Sequence, residues 1–339
     1  MVDKIKPLIL VLKNELQKGT YPVGSRFPSE YELADMFSIN KKTANKAVTI
    51  LVEEGYLERK RGRGGTVVRR TFKYPNHHIL LIMSVDVRFY AKIANGIQTA
   101  ALQDNSLVSI AAPELGQISS LMKNAKSIGI NGIISSGFGI LPDEGLPVIY
   151  LEDRLGNTTY PEYVACDSYS GGYKIMKEVL SRGHRNIVIL FQIWNNPDRL
   201  RGMYDVMKEY NITDYRERTF ILSENSVSET NIILRRIRKQ YPDVTAIVSC
   251  SDDDSYRMIQ SMNSQKIDWI GKIAVCGFGN IQGISDVFPV ASVEQHPFLI
   301  GIESYRQLVN KIRNPELVVK KLLEVDLVQT GNIPVISGS

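Results

Sequence analysis

From His77 onward, short apolar runs alternate with stretches of helical spacing, and no other feature of the chain restricts its fold so tightly. The runs are Ile79–Val85, Leu107–Ala112, Gly132–Ser135, Val148–Leu151, Tyr163–Cys166, Ile187–Phe191, Thr219–Leu222, Ala246–Cys250 and Ile273–Phe278. They are continuously apolar and rich in β-branched residues, which is the composition of strands covered on both faces. With helices between them they predict βαβ units and parallel sheets. Nine such strands in about 260 residues suit two half-domains better than one sheet. Ligands of such folds sit beyond the carboxyl ends of the strands. The residues following the strands therefore form a candidate site: Phe89, Tyr90, Phe138, Asp153, Asp167, Trp194, Arg199, Ser251, Asp252, Gly279, Asn280 and Gln295. Aromatic rings to cover an apolar face, with Asp, Asn, Gln and Arg to bond hydroxyls, suit a sugar-like ligand. Each also has an ordinary explanation, since polar residues after strands commonly cap the next helix. Phe138 reads as core.

The first 75 residues have a different character. They carry 15 Lys/Arg against 8 Asp/Glu, a net +7, whereas the remaining 264 residues carry 26 against 28, a net −2. Positive charge confined to one end is the footprint of a small polyanion-binding module joined to a neutral domain. Ile5, Leu8, Ile9, Leu12 and Leu16 make one helical stripe, ended by Gly19 and the turn Tyr21–Gly24. Ser29 with Glu32 forms a capping box for a second helix through Phe37. After only Ser38-Ile39-Asn40 a third begins, with Asn40 as its cap, an inward stripe of Ala44, Ala47, Val48 and Leu51, and Gly55 as its stop. Two helices joined so briefly are a helix-turn-helix.

The outer face of the third helix carries Lys41, Lys42, Asn45, Lys46 and Thr49, clustered in the half that enters the major groove in this motif. Asn can read an adenine edge and Lys can serve guanine or phosphate, although a charged helix face is most often simply solvated. The next segment favours DNA. Tyr56–Lys60 alternates like a strand, Arg61–Gly65 turns, and Thr66-Val67-Val68 returns. This is a β-hairpin with an Arg/Gly tip fit for phosphate or minor-groove contact. Its glycines lack the Gly-Lys-Ser/Thr ending of a nucleotide loop.

These residues resemble a known family. Gly19, Pro22, Gly24, Phe27-Pro28-Ser29-Glu30, Leu33-Ala34, Thr43, Ala47, Leu51, Glu54-Gly55, Arg63-Gly64, Thr66 and Val68 are similar to the GntR-type winged helix-turn-helix of bacterial regulators. The resemblance implies DNA contacts from Tyr31, Lys41, Lys42, Thr43, Asn45, Lys46, Arg63 and Gly64. Tyr31, Lys41 and Asn45 stand where that family usually has arginines. A second resemblance covers residues 77–339. It rests on Cys166-Asp167-Ser168 with Gly171-Gly172, Gly183-His184-Arg185, Arg199 with Gly202, Ser251-Asp252, Val275–Phe278 and Ser292-Val293 with Gln295, which look like the sensor domain of LacI-type repressors. It implies that Arg199 anchors an effector, with Phe89, Tyr90, Asp167, Ser251 and Gln295 around it, and that His184 is structural. Trp194, Asp252 and Asn280 complete the candidate site. Gly279 stands where the family usually has a ligand-bonding Asp. The combination is similar to the arabinose repressors of bacilli.

The expected organisation is a winged helix-turn-helix (α+β) over residues 1–69, a linker over 70–76, and a two-lobed, periplasmic-binding-protein-like α/β domain with parallel sheets over 77–339. The expected function is an effector-controlled, operator-binding repressor that is a cytoplasmic homodimer without cofactor, metal or catalytic residues. No apolar run reaches the roughly 18–20 residues of a membrane span, and the N-terminus lacks the pattern of a signal peptide. Cys166, Cys250 and Cys276 lack metal-ligand spacing and read as buried thiols. Gly277-x-Gly279-x-x-x-Gly283 after a strand raises the alternative of a nicotinamide-dependent oxidoreductase. Its spacing misses the dinucleotide fingerprint, and no acidic residue follows about 20 positions later. An aminotransferase-like regulator would need a longer chain and a cofactor-linking lysine.

Overall fold

The computed structural model describes residues 5–60, 64–69, 75–155 and 158–336. Contacts divide the chain into two units, Met1–Asn76 and His77–Ser339.

In the first unit, helices α1 (Ile5–Gln17), α2 (Glu30–Met36) and α3 (Lys41–Glu53) precede a hairpin of β1 (Leu57–Arg59) and β2 (Thr66–Val68). The stripe of α1 supplies Leu8, Leu12 and Leu16 to a closed core with Phe27, Leu33, Ala44, Ala47, Val48, Leu51, Tyr56, Leu57 and Val68. The capping box of α2 forms as expected, with the Ser29 and Glu32 side chains each accepting from the other's backbone N–H. Asn40 caps α3 through Thr43 N–H at 2.8 Å. Gly55, at φ 78°, ends it: Gly55 N–H donates to Val52 and Tyr56 N–H to Leu51. That pair of bonds needs a left-handed residue between them, which glycine adopts without steric penalty. The hairpin pairs Leu57 with Val68 and Arg59 with Thr66. The stretch after Gly24 joins it: Phe27 N–H donates to Thr66 and Val68 N–H to Ser25.

The second unit has two six-stranded sheets. The first contains β3 (His78–Ile82), β4 (Leu107–Ala111), β5 (Gly132–Ser135), β6 (Val148–Tyr150), β9 (Tyr163–Cys166) and β15 (Lys320–Leu323), in the order β15-β9-β6-β5-β3-β4 and wholly parallel. Between β6 and β9, β7 (Arg154–Leu155) and β8 (Thr158–Thr159) form a separate small ribbon. Helices α4 (Arg88–Gln103), α5 (Ile118–Ala125) and α10 (Pro297–Arg313) belong to this lobe. The second sheet contains β10 (Ile187–Gln192), β11 (Thr219–Leu222), β12 (Ala246–Ser249), β13 (Ala274–Phe278), β14 (Val290–Glu294) and β16 (Asp326–Val328), ordered β11-β10-β12-β13-β14-β16. Around it lie α6 (Ser168–Ser181), α7 (Pro197–Glu209), α8 (Val227–Gln240) and α9 (Asp252–Ser264). All nine expected strands pair in parallel, and the unexpected edge strand β16 runs antiparallel to β14. The chain passes between the lobes after β9, after β14 and from β15 to β16.

Glycines let the paired helices of each lobe touch backbone to backbone. A Cβ on Gly172 of α6 would lie 1.9 Å from the Arg199 carbonyl oxygen of α7, and one on Gly202 would lie 2.2 Å from that of Tyr169. The same reciprocity joins Gly96 of α4 to Phe298 and Gly301 of α10 to Ile93, each at 2.1 Å. His184 is buried as a structural residue, with its ring nitrogens 3.0 Å from the Thr245 hydroxyl and 2.9 Å from the Pro334 carbonyl.

Candidate functional site

Two sites emerge, one in each unit. In the head, Lys41, Lys42, Asn45 and Lys46 are exposed on the outer face of α3. The first turn of α3 contains no acidic residue. Lysines there oppose the helix dipole, an arrangement unfavourable to the isolated helix and favourable to a bound anion. Tyr31 reaches this face from α2. The residue is 65% exposed, and the Lys41 ammonium lies 3.7 Å from its ring centroid. Such a contact contributes about 0.5–1 kcal/mol at an exposed site and fixes where the charge sits. The Thr43 hydroxyl donates to the Asn40 side chain at 2.9 Å, so it shapes the start of α3. Asn45 Oδ1 accepts from an Arg59 terminal nitrogen at 2.8 Å and from the Thr49 hydroxyl at 3.4 Å. Arg59 belongs to β1, and the alternation of that segment had marked it only as a hairpin scaffold. Arg63 lies outside the described residues. Gly64 sits at the hairpin turn, where a Cβ would approach that of Lys60 to 2.5 Å.

In the second unit, the strand ends surround a cleft of about 280 Å³. Of the expected residues, Phe89, Tyr90, Asp153, Trp194, Arg199, Ser251, Gly279 and Gln295 line it. Arg199 is on the first turn of α7, whose cap is the Asn196 side chain. Its guanidinium lies 3.9 Å from the centre of the Phe278 ring and donates to the Cys250 carbonyl at 2.7 Å, with a longer reach of 3.5 Å to the Ser168 hydroxyl. Gln295 is buried and donates to the Cys166 sulfur at 3.1 Å. Ser251 caps α9 and faces the cleft as well.

Glu152 lines the floor and is the acid that sequence reasoning missed. Its neighbour Asp153, the residue expected after this strand, lines the cleft as well. Glu152 Oε1 accepts from the Tyr90 hydroxyl at 2.8 Å and from the Ser136 hydroxyl at 2.5 Å. Its Oε2 is buried without a partner among the described residues. Burial pushes its carboxyl above the ordinary range, against the hydrogen bonds from Ser136 and Tyr90. Burial, then the Glu152 charge, raises Tyr90. An unpartnered buried oxygen costs about 1–3 kcal/mol, and a ligand hydroxyl or amine would remove that cost. Asn195 Nδ2 and Arg257 Nε on the same walls also lack partners among the described residues.

The opposite lobes touch across the cleft. Asn196 donates to Asp153 at 2.7 Å, Arg154 and Asp198 form an ion pair at 3.6 Å, and Arg88 donates to the Gln282 carbonyl at 2.8 Å.

Three expected ligand residues lie elsewhere. Asp167 is absent from the cleft lining and caps α6, accepting from Ser170 N–H at 2.8 Å. Asp252 is 1% exposed, and both of its oxygens are occupied, by the Ser292 hydroxyl at 2.7 Å and by Ile281 N–H at 2.8 Å. Its neighbour Asp253 faces the cleft instead. Asn280 is committed to Glu294 at 2.6 Å, so it does not fill the space left by Gly279. Phe138 packs into the outer core of the first lobe. Gly277, the start of the apparent dinucleotide motif, is filled from outside: a Cβ there would lie 2.0 Å from Asp252 Oδ1. The segment after β13 turns into β14 without opening a helix. The oxidoreductase alternative therefore has no phosphate-binding helix terminus to stand on. All three cysteines are free and buried. No helix among the described residues is long and apolar enough to cross a membrane.

Comparison with known proteins follows the same division. Residues 8–68 match the family model of bacterial regulatory proteins, gntR family. Residues 76–327 match that of periplasmic binding proteins and sugar binding domain of LacI family. The chain is 31% identical over 134 residues to the uncharacterized HTH-type transcriptional regulator YisV of Bacillus subtilis, covering 38% of this chain and 28% of that one. It likewise spans 40% of the regulators YurK of Bacillus subtilis and PhnF of Escherichia coli. It is 21% identical over 329 residues to the arabinose metabolism transcriptional repressor of Halalkalibacterium halodurans, covering 89% of this chain and 87% of that one. Its fold is similar to that of the transcriptional regulator CelR in a cellobiose complex, with a TM-score of 0.65 at 19% identity over 89% of this chain and 98% of that one. The chain belongs to the family of periplasmic binding proteins and LacI-type sugar-binding domains, and carries a GntR-family helix-turn-helix ahead of that domain.

Proposed function

We propose that this protein is a transcriptional repressor that grips operator DNA through its cationic head and is controlled by a sugar-like effector bound between the lobes of its sensor domain. The observation that carries the reading is the union, in one chain, of a helix-turn-helix with a lysine-bearing outer face and a two-lobed clamp. The cleft of that clamp offers a stacked guanidinium and an unpartnered carboxyl oxygen. The curated relative of similar length is named an arabinose repressor, and the solved relative holds cellobiose. Both support a sugar or sugar derivative as the effector. In this reading the DNA contacts come from Tyr31, Lys41, Lys42, Asn45, Lys46 and Arg63, with Thr43 shaping the helix start and Gly64 at the hairpin turn. The effector contacts come from Phe89, Tyr90, Trp194, Arg199, Ser251 and Gln295, joined by Glu152. The protein acts in the cytoplasm, by binding and without catalysis.

A homodimer would place two heads on a pseudo-palindrome. The effector acts only if it binds two arrangements of the protein with different affinity. The test is selection of genomic fragments by the full chain, repeated across salt concentrations and with a panel of pentoses, hexoses, sugar alcohols and sugar acids. The expected result is selective capture that weakens steeply with salt, at a slope of about −0.9 per phosphate neutralised, and is released by one class of sugar. Salt-insensitive capture, or no sugar that changes either melting temperature or DNA capture, would overturn the proposal.

A further inference from the structure

The hydrogen bonds around Asn45 limit what the head can read. Pairing an asparagine with adenine requires the amide oxygen to accept from N6 while the amide nitrogen donates to N7. Here the oxygen is already taken by Arg59 and Thr49. Turning the amide over would set its NH₂ against the guanidinium NH₂, donor facing donor. The amide is therefore held with only its N–H donors free.

Arg59 is held in turn. The nitrogen that bonds Asn45 also donates to the Thr49 hydroxyl at 3.1 Å and lies 3.5 Å from the Glu30 carboxylate. One terminal nitrogen of the fork thus meets all three partners. Its Nε and other terminal nitrogen have no partner among the described residues, and the side chain is 48% exposed. Helices α2 and α3 and strand β1 together present a pre-oriented cation beside the outer face of α3.

We propose that Arg59 is a specificity-determining residue of the head, and that Arg59 and Asn45 act as one donor-only reading unit that selects guanine. Guanine is the base whose major-groove edge offers two acceptors, O6 and N7, one for an N–H of the other Arg59 terminal nitrogen and one for the Asn45 amide N–H. Adenine presents a donor at the matching position and is rejected. Glu30 and Thr49 are positioning residues for the fork. The inference rests on the reading of the head as an operator-binding module, and it names one contact of that module.

The experiment uses the full chain and a randomised double-stranded DNA library, with selection and sequencing for the wild type, Arg59→Ala and Arg59→Lys. Both variants change an exposed side chain, and unchanged melting confirms that they fold. The wild type should enrich a motif with guanine at one fixed position. Arg59→Ala should lose that preference by roughly 5- to 140-fold, the range of one bidentate contact. Arg59→Lys, which keeps the charge and loses the fork, should relax the same position while retaining more overall affinity than Arg59→Ala. A guanine preference that persists in Arg59→Ala overturns the proposal, as does an equal loss for all sequences, the mark of a phosphate contact. A wild type that enriches no sequence overturns the operator reading and this proposal with it.

Discussion

Replacing Gly172 with alanine tests how the sensor domain holds its cleft. The added methyl would lie 1.9 Å from the Arg199 carbonyl oxygen and 2.8 Å from its carbon, against an ordinary contact that begins at 3.4 Å. Both opposing atoms are backbone, so no rotamer can make room, and α6 and α7 must part locally by about 1.5 Å. Overpacking of this kind typically costs 1–3 kcal/mol, and a backbone-on-backbone clash falls at the upper end, about 3 kcal/mol. At about 2–4 °C per kcal/mol for a domain of this size, melting should fall by roughly 6–12 °C. The displacement also moves Arg199, whose bond to the Cys250 carbonyl is 2.7 Å long and whose guanidinium rests on Phe278. Losing one charge-assisted bond to an effector, about 1.5–3 kcal/mol, would weaken effector binding roughly 10- to 140-fold. Differential scanning calorimetry reads the first effect and titration calorimetry with a sugar that stabilises the wild type reads the second. A variant that melts within about 1 °C of wild type and binds that sugar equally well would refute the argument that this glycine sets the helix crossing and the position of Arg199.

Glu152→Gln keeps the oxygen that accepts from Tyr90 and Ser136 and replaces the unpartnered one with an NH₂. It should leave the fold intact and weaken effector binding about tenfold or more, the loss of one hydrogen bond of roughly 1.4 kcal/mol, read by titration calorimetry; unchanged affinity would remove Glu152 from the site. Burial raises the Asp252 carboxyl from 3.8 to about 6. A raised folded value means that its contribution to stability is fully present below the unfolded value and is lost as pH rises through about 6, by at most about 3 kcal/mol. Urea unfolding at pH 5 and pH 7.5 should show the wild type losing more stability with rising pH than Asp252→Asn, and parallel behaviour would contradict the assignment.

Two strands that sequence located well are internal ones. Gly132–Ser135 and Tyr163–Cys166 coincide with β5 and β9, because a strand covered on both faces must be apolar throughout and ends where polarity returns. Ile79–Val85 overran β3, which stops at Ile82, since Met83 stays buried beyond the ladder. The edge strands β15 and β16 escaped notice. With Lys320, Lys321 and Asp326 in them they read as polar connections, which is how edges avoid pairing with other chains. β14 escaped too, its apolar run broken by Ser292.

The sequence by itself determined the elements and their kind, since capping boxes, glycine stops, buried apolar runs and the concentration of positive charge are local properties of a chain. Only the tertiary structure decided which polar side chains are free to meet a ligand. Asp167, Asp252 and Asn280 follow strands just as Arg199 and Ser251 do. The first is used as a helix cap, the second is closed off by Ser292 and Ile281 N–H, and the third is held by Glu294. Glu152 and Arg59 became visible only through partners 62 and 14 residues away, Tyr90 and Asn45. The physical reason is that a buried polar group must be satisfied by whatever the fold brings within about 3 Å, and those partners are set by packing between distant segments.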